Sequence, residues 1–253
     1  MSGSSQTTRS KSTEIMDAFQ LSVSGRWGHF RRPETNRTPL THDFITKTAF
    51  IGMMGAVLGI ERDEMRDLFP VFSEDLLYGV RLRAPVQKET HGFVVRDAEY
   101  PGRAKVSGTR KVTRRRYEFL RDPHFQVAIA LQGDRVADHF EAFREHVDQG
   151  RAQFPPVLGW HNCPANLRLE STGTFEGPNQ GEFTTRCFVS GDHDTETDKT
   201  DFHVGIDRIP TYQEDFWNRP DRYRTVVYPF GDHELATDGE FYEYSNGERW
   251  WLI

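Results

Sequence analysis

The chain has 253 residues, 32 Lys/Arg against 38 Asp/Glu and a formal charge of −6, long enough for one elaborated domain with a real core. Its longest apolar run, Ala49 to Ile60, is broken by three glycines and falls short of the roughly 20 residues a membrane-spanning helix needs, and the polar N-terminus lacks the apolar stretch of a secretory leader. Cys163 and Cys187 show neither CxxC nor tight Cys/His spacing, which argues against a disulfide framework or structural zinc, so the expectation is a cytoplasmic protein with reduced thiols, no cofactor and no metal.

In chain order, residues 1–16 read as a disordered lead-in. A strand is predicted over Ala18 to Val23, where Phe19, Leu21 and Val23 alternate. A loop rich in Arg, Pro, Thr and Asn follows. The spacing then predicts a helix from about Thr46, a candidate cap, to Gly59. Its small residues Gly52, Ala56 and Gly59 fall on one face and suit a close approach to a sheet. Leu76 to Leu82 reads as a second strand. Residues 84–116 are polar, glycine-dotted and basic, an excursion outside the core. Phe125 to Leu131 is a strand, and Val136, Phe140, Phe143 and Val147 mark a helix stopped at Gly150. Asn166 to Leu169 closes the series. The order β-α-β, excursion, β-α-β predicts an α+β, ferredoxin-like (RRM-like) βαββαβ domain over 17–170, with a basic thumb insertion at about 84–116. Residues 171–253 carry short strand candidates and read as a β-rich acidic extension.

Net charge alone argues against a nucleic-acid partner, but its distribution does not. Residues 96–121 hold nine Lys/Arg against three Asp/Glu, and residues 171–253 hold seven against seventeen. Local patches, not the chain average, meet phosphates. In the segment 25–44, Arg26, Arg31, Arg32 and Arg37 stand beside the flat rings of Trp27, His29 and Phe30, and Lys47 follows. Arginines neutralise phosphates and rings stack on unpaired bases. The competing reading packs Trp27 and Phe30 in the core and leaves the arginines solvated. A second run, Arg103, Lys105, Arg110, Lys111, Arg114, Arg115 and Arg116, is either a solvated loop or a phosphate clamp. The acidic stretch at 191–201 lacks the glycine and the twelfth-position ligand of a calcium loop and reads as a solvated turn. GxSxG, GxxxxGK[ST], HExxH and GxGxxG are absent, so no catalytic residue is nominated.

The run VSGRWGHFRRPETNRTPLTHDFITKTAFIGMMGAVLGI (23–60) resembles the N-terminal signature of the Cas five proteins, RAMP-type subunits of the type I CRISPR Cascade. RRRYEFLRDPHFQVAIAL (114–131) and QFPPVLGWHNCPANL (153–167) resemble two later blocks of that family, and the haloarchaeal or type I-B branch is the nearest. The resemblance implies a ferredoxin-like fold with the basic excursion as a thumb. It implies a non-catalytic subunit that caps the 5′ handle of the crRNA. Its partners would be the Cascade backbone subunit and large subunit, with target DNA in the complex as a further candidate. One branch of the family is instead an endoribonuclease using a tyrosine and a Lys-His pair. Here His42 stands at the tyrosine position and no Lys-His dipeptide occurs, so nuclease action is the alternative, not the expectation.

Overall fold

A computed structural model describes residues 14–35, 38–96, 112–214 and 219–253. Most of the predicted lead-in, and Arg37, Arg103, Lys105, Arg110 and Lys111 of the basic set, lie outside the described residues. The first strand, β1 (Glu14–Ser24), starts earlier than its alternation suggested. Next come β2 (Trp27–Gly28), helix α1 (Lys47–Leu58), helix α2 (Arg62–Asp75) and β3 (Leu76–Leu82). In the described part of the basic excursion, β4 (Lys88–Arg96) pairs antiparallel with β5 (Val112–Arg121), followed by β6 (His124–Leu131) and helix α3 (Ala137–Asp148). The remaining strands are β7 (Asn166–Thr185), β8 (Val189–Ser190), β9 (Asp194–Thr195), β10 (Val204–Tyr212), β11 (Arg222–Pro229), β12 (Leu235–Tyr244) and β13 (Arg249–Trp250).

The main sheet is antiparallel with order β13-β12-β7-β1-β6-β3, and β9 adds to β12. Two small sheets accompany it, β10-β11-β8 and β2-β5-β4. Alternation assigns the faces of the main sheet. Phe19, Leu21, Val23, Val127, Ile129 and Val80 join one core with Phe50, Phe69, Phe72, Phe140 and Phe143 of the helices. Phe19 meets Phe140 at 4.7 Å between ring centroids. Met16, Ala18, Ala128 and Ala130 point the other way, into a second cluster with Phe175, Tyr242, Tyr244 and Trp250. The residues of β1 and β6 on the sheet face opposite the helices are therefore buried too, against side chains of β7, β12 and β13 in the same sheet, and do not form an open platform.

Helix α1 runs as predicted, from its cap Thr46, whose hydroxyl accepts from the Ala49 amide, to Gly59 in the left-handed conformation. Its small face does not meet the sheet, however. Phe50, Met54 and Val57 turn to the core. Gly55 lies against Met65 of α2, and the amides of Gln153 and Phe154 donate to the carbonyls of Val57 and Ala56. The small residues thus admit a second helix and the 153–154 segment.

Residue 170 is no boundary. β7 is one strand of 20 residues that pairs with β1 on one side and β12 on the other. The acidic extension continues the same sheet. No helix among the described residues is long and apolar enough to cross a membrane.

Candidate nucleic-acid interface

The loop after β1 is held on both sides. Trp27 and Gly28 pair with Arg121 and Leu120 of β5, and the His29 amide donates to the Leu158 carbonyl. Arg32 and His42 donate from their amides to Leu40 and Phe30, which folds 29–42 back on itself. Gly159 supports the loop from beneath: a Cβ there would come within 2.2 Å of the His29 carbonyl oxygen, at a φ of +78°. The segments around 25–32, 114–121 and 157–160, apart in sequence, build one site.

Antiparallel register sorts the hairpin into two faces. Phe93 is opposite Arg115, His91 opposite Tyr117 and Glu89 opposite Phe119, and these share a face. On that face Trp27 meets His91 edge-on at 4.8 Å, and Trp160 stacks on Tyr117 at 4.9 Å and on Phe119 at 5.3 Å. Phe93 completes the set at 5.4 Å from Trp160. Trp27, His91, Phe93, Tyr117 and Trp160 are half-buried, so the cluster presents ring surface outward. A cavity of about 110 Å³ opens among Trp27, His91, Phe93, Phe119 and Trp160. Rings of this kind accept an unpaired base by stacking, worth about 1–3 kcal/mol per base.

The predicted residues divide sharply. Arg26, Arg31, Arg114, Arg115 and Arg116 are exposed, and none forms an ion pair among the described residues. Arg115 lies on the ring face, whereas Arg114 and Arg116 lie on the other, opposite Val94 and Gly92. Trp27 is half-buried, packed against the core with part of its ring exposed. Phe30 is 3% exposed and packs near Phe125, so it belongs to the core. His29 is also buried. Its Nδ1 donates to the Glu118 carbonyl at 2.7 Å, leaving Nε2 as an unpartnered acceptor. Burial lowers the His29 pKa, and the nearby Arg31 charge lowers it further against the raising effect of the Glu118 bond. The ring is therefore neutral near neutrality.

Two basic residues are withdrawn from the predicted site. The Arg32 Nη2 donates to Asp207 Oδ2 at 2.7 Å, and His42 Nδ1 reaches the same oxygen at 2.9 Å. Burial alone would raise the Asp207 pKa, but His42 and Arg32 hold it below the usual carboxylate value. Lys47 is 4% exposed and donates to the carbonyl oxygens of Ser73 and Ile253. It has no exposed ammonium to offer a phosphate. His91, Phe93 and Trp160 were missed by reasoning from sequence. The available signal was the two-residue spacing of 91/93 and 115/117/119, which reads as a strand face once the hairpin is known.

Comparison with known proteins follows the same lines. The family model described as CRISPR-associated protein (Cas_Cas5) matches residues 19–220. Among curated proteins none matches significantly. A "CRISPR RNA-guided surveillance complex" structure superposes with a TM-score of 0.53 at 14% identity, covering 87% of this chain and 91% of that one. A "CRISPR protein from Archaeoglobus fulgidus" gives 0.54 at 12% identity, covering 94% and 98%. At such identities the structures speak to fold alone, and the mixed α/β architecture with its large antiparallel sheet is the one they share. With a family model spanning most of its length, the chain belongs to the Cas_Cas5 family of CRISPR-associated proteins.

Proposed function

We propose that this chain is the non-catalytic subunit of a type I CRISPR surveillance complex that caps the 5′ handle of the guide RNA in antiviral defence, held there by the backbone and large subunits. The observation that carries the reading is the ring face of the β4–β5 hairpin. Stacked, half-buried aromatics stand beside Arg115, flanked by the exposed Arg26 and Arg31. Phosphate contacts supply affinity and rings hold splayed bases, the combination that single-stranded RNA demands. The handle is then clasped between the loop at 25–32 and the hairpin as thumb. The ferredoxin-like reading of the core is supported by the antiparallel order β7-β1-β6-β3 with α1–α2 and α3 in the two crossovers.

The non-catalytic reading is supported at His42. That side chain is 1% exposed and bonded to Asp207, so it has no access to a 2′-hydroxyl. Incubating the purified protein with repeat RNA in EDTA tests this directly. The expected result is tight binding and intact RNA. Single-turnover cleavage leaving a cyclic phosphate would replace this reading with a metal-independent endoribonuclease.

A further inference from the structure

We propose that the β10–β11 hairpin of the acidic extension is a second contact for a single-stranded polynucleotide, separate from the ring face. The region 171–253 holds only seven Lys/Arg. Four of them, Arg208, Arg219, Arg222 and Arg224, lie on or between these two strands, are exposed, and form no ion pair among the described residues. In a region with seventeen carboxylates, leaving four neighbouring guanidiniums unpaired is a departure that calls for an anion.

The arginines are also ordered. Arg222 lies over the Tyr212 ring with its Cζ at 4.2 Å, and Arg208 over Tyr223 at 4.9 Å. A guanidinium stacked on a phenol keeps its N–H edge free for phosphate, and its outer plane remains available to a base. Tyr212, Arg222, Tyr223 and Arg224 form one wall of a groove of about 970 Å³. Glu74, Asp192 and Glu240 also line it, so a strand lying there turns its phosphates to the arginine wall. Few aliphatic side chains line the groove, so it lacks the pockets by which a peptide's apolar residues are held.

The site is continuous with the interface above. A neighbouring cavity of about 390 Å³ is lined by His29, Arg31, Gly159, Pro210 and Arg219. Thr211 and Tyr212, the next residues along β10, line the large groove. Segment 210–213 thus separates two cavities, one next to the ring face and one on the arginine wall. A strand leaving the first passes into the second. This continuity rests on the ring face being an RNA site, although the groove's own chemistry does not.

The test uses the full chain and photo-crosslinking oligomers, thiouridine-substituted oligouridylate in one arm and thiothymidine-substituted oligothymidylate in the other. Cross-links are expected at Tyr212 or Tyr223 as well as at Tyr117 or Trp160. The stronger arm identifies RNA or DNA as the occupant. Arg222→Gln with Arg224→Gln should abolish the first set, keep the second, and reduce the log–log salt slope of binding by about 1.4, two phosphates at ~0.7 each. Both side chains are exposed, so the melting temperature should hold. Cross-links confined to Tyr117 and Trp160, with an unchanged slope in the double variant, would overturn the second site and leave the proposed function standing. Cross-links only at Tyr212 or Tyr223 would do the reverse. If the double variant loses polyglutamate binding but no polynucleotide binding, the wall receives an acidic protein and the proposal fails.

Discussion

Lys47 is an ammonium placed where ions are costly. Burial lowers its pKa to about 7, so near neutrality the folded protein must either hold a buried charge or give up the proton. The unfolded chain keeps the proton up to a pKa near 10.5. Between these values the unfolded state binds more protons than the native one, so stability rises with pH, by up to about 1.4 kcal/mol per pH unit. Denaturation midpoints measured from pH 7 to 9 should climb in the natural protein, and Lys47→Met should flatten the climb. An equally steep climb in Lys47→Met would mean that the lysine stays charged on its two carbonyl oxygens. At the proposed RNA face, Trp27→Ala should weaken RNA binding by about 1–3 kcal/mol with its salt slope intact, whereas Arg31→Ala should reduce both affinity and slope. Early melting with normal binding in Trp27→Ala would assign the ring to the core. Residue type nominated all of these side chains, and it separated them poorly. Arg31 and Arg32 are adjacent and chemically identical, yet Asp207, 175 positions away, takes one and leaves the other free. Nothing local in the sequence carries that difference.

Elements were legible wherever one face is strongly apolar. Strand β3 and helices α1 and α3 run close to where their periodicity places them, because Phe50/Met54/Val57 and Phe140/Phe143/Val147 are spaced for burial on one side. The hairpin β4–β5 was not legible as strands. Its outward residues Arg114, Val94, Gly92 and Arg116 give no alternation against polar surroundings, and only the pairing with β2 and the rings beneath explains it. Helix α2 was hidden by Pro70 inside it and by the lack of a side-chain cap at Glu61. Only Asn166 to Leu169 of β7 is legible as a strand, since Gly173, Gly177, Pro178 and Gly181 interrupt its pattern beyond that. The hairpin's two faces make a prediction the bare sequence could not. Arg115→Ala, on the ring face, should reduce the salt slope of RNA binding by about 0.7. Arg114→Ala and Arg116→Ala should leave that slope alone and act on whatever meets the opposite face. Equal effects from all three would mean that the RNA wraps around the hairpin.

At the scale of the whole molecule, the element order suggested a domain over 17–170 with a β-rich acidic extension, and the packing joins the two. Val189, Ile209, Val226, Val227, Leu235 and Phe241 from beyond residue 170 share a core with Phe19, Phe50 and Phe143. Buried polar groups tie the same parts together: the Tyr228 hydroxyl donates to Asp43 at 2.5 Å, and Arg81 in β3 pairs with Asp232 at 2.6 Å and Glu248 at 3.3 Å. Asp43 in turn takes the Lys88 ammonium at 2.5 Å, linking the extension to the hairpin that carries the rings. A chain ending at residue 170 would lose most of β7 and all of β12, expose that shared core, leave Arg81 without Asp232 and Glu248, and take the Tyr228 hydroxyl from Asp43. Leaving the buried Arg81 charge uncompensated costs several kcal/mol, against a total stability of about 5–15 kcal/mol. The shortened chain should therefore fail to fold, and the full chain should unfold in one cooperative transition seen alike by calorimetry and by tryptophan fluorescence. Two separate transitions, or a soluble and folded 14–170 fragment that still binds RNA, would restore 17–170 as a domain of its own. Cooperativity also bears on function, because Asp43 joins Lys88 of the hairpin to Tyr228 of the extension, so an extension that unfolds takes away one of the hairpin's anchors.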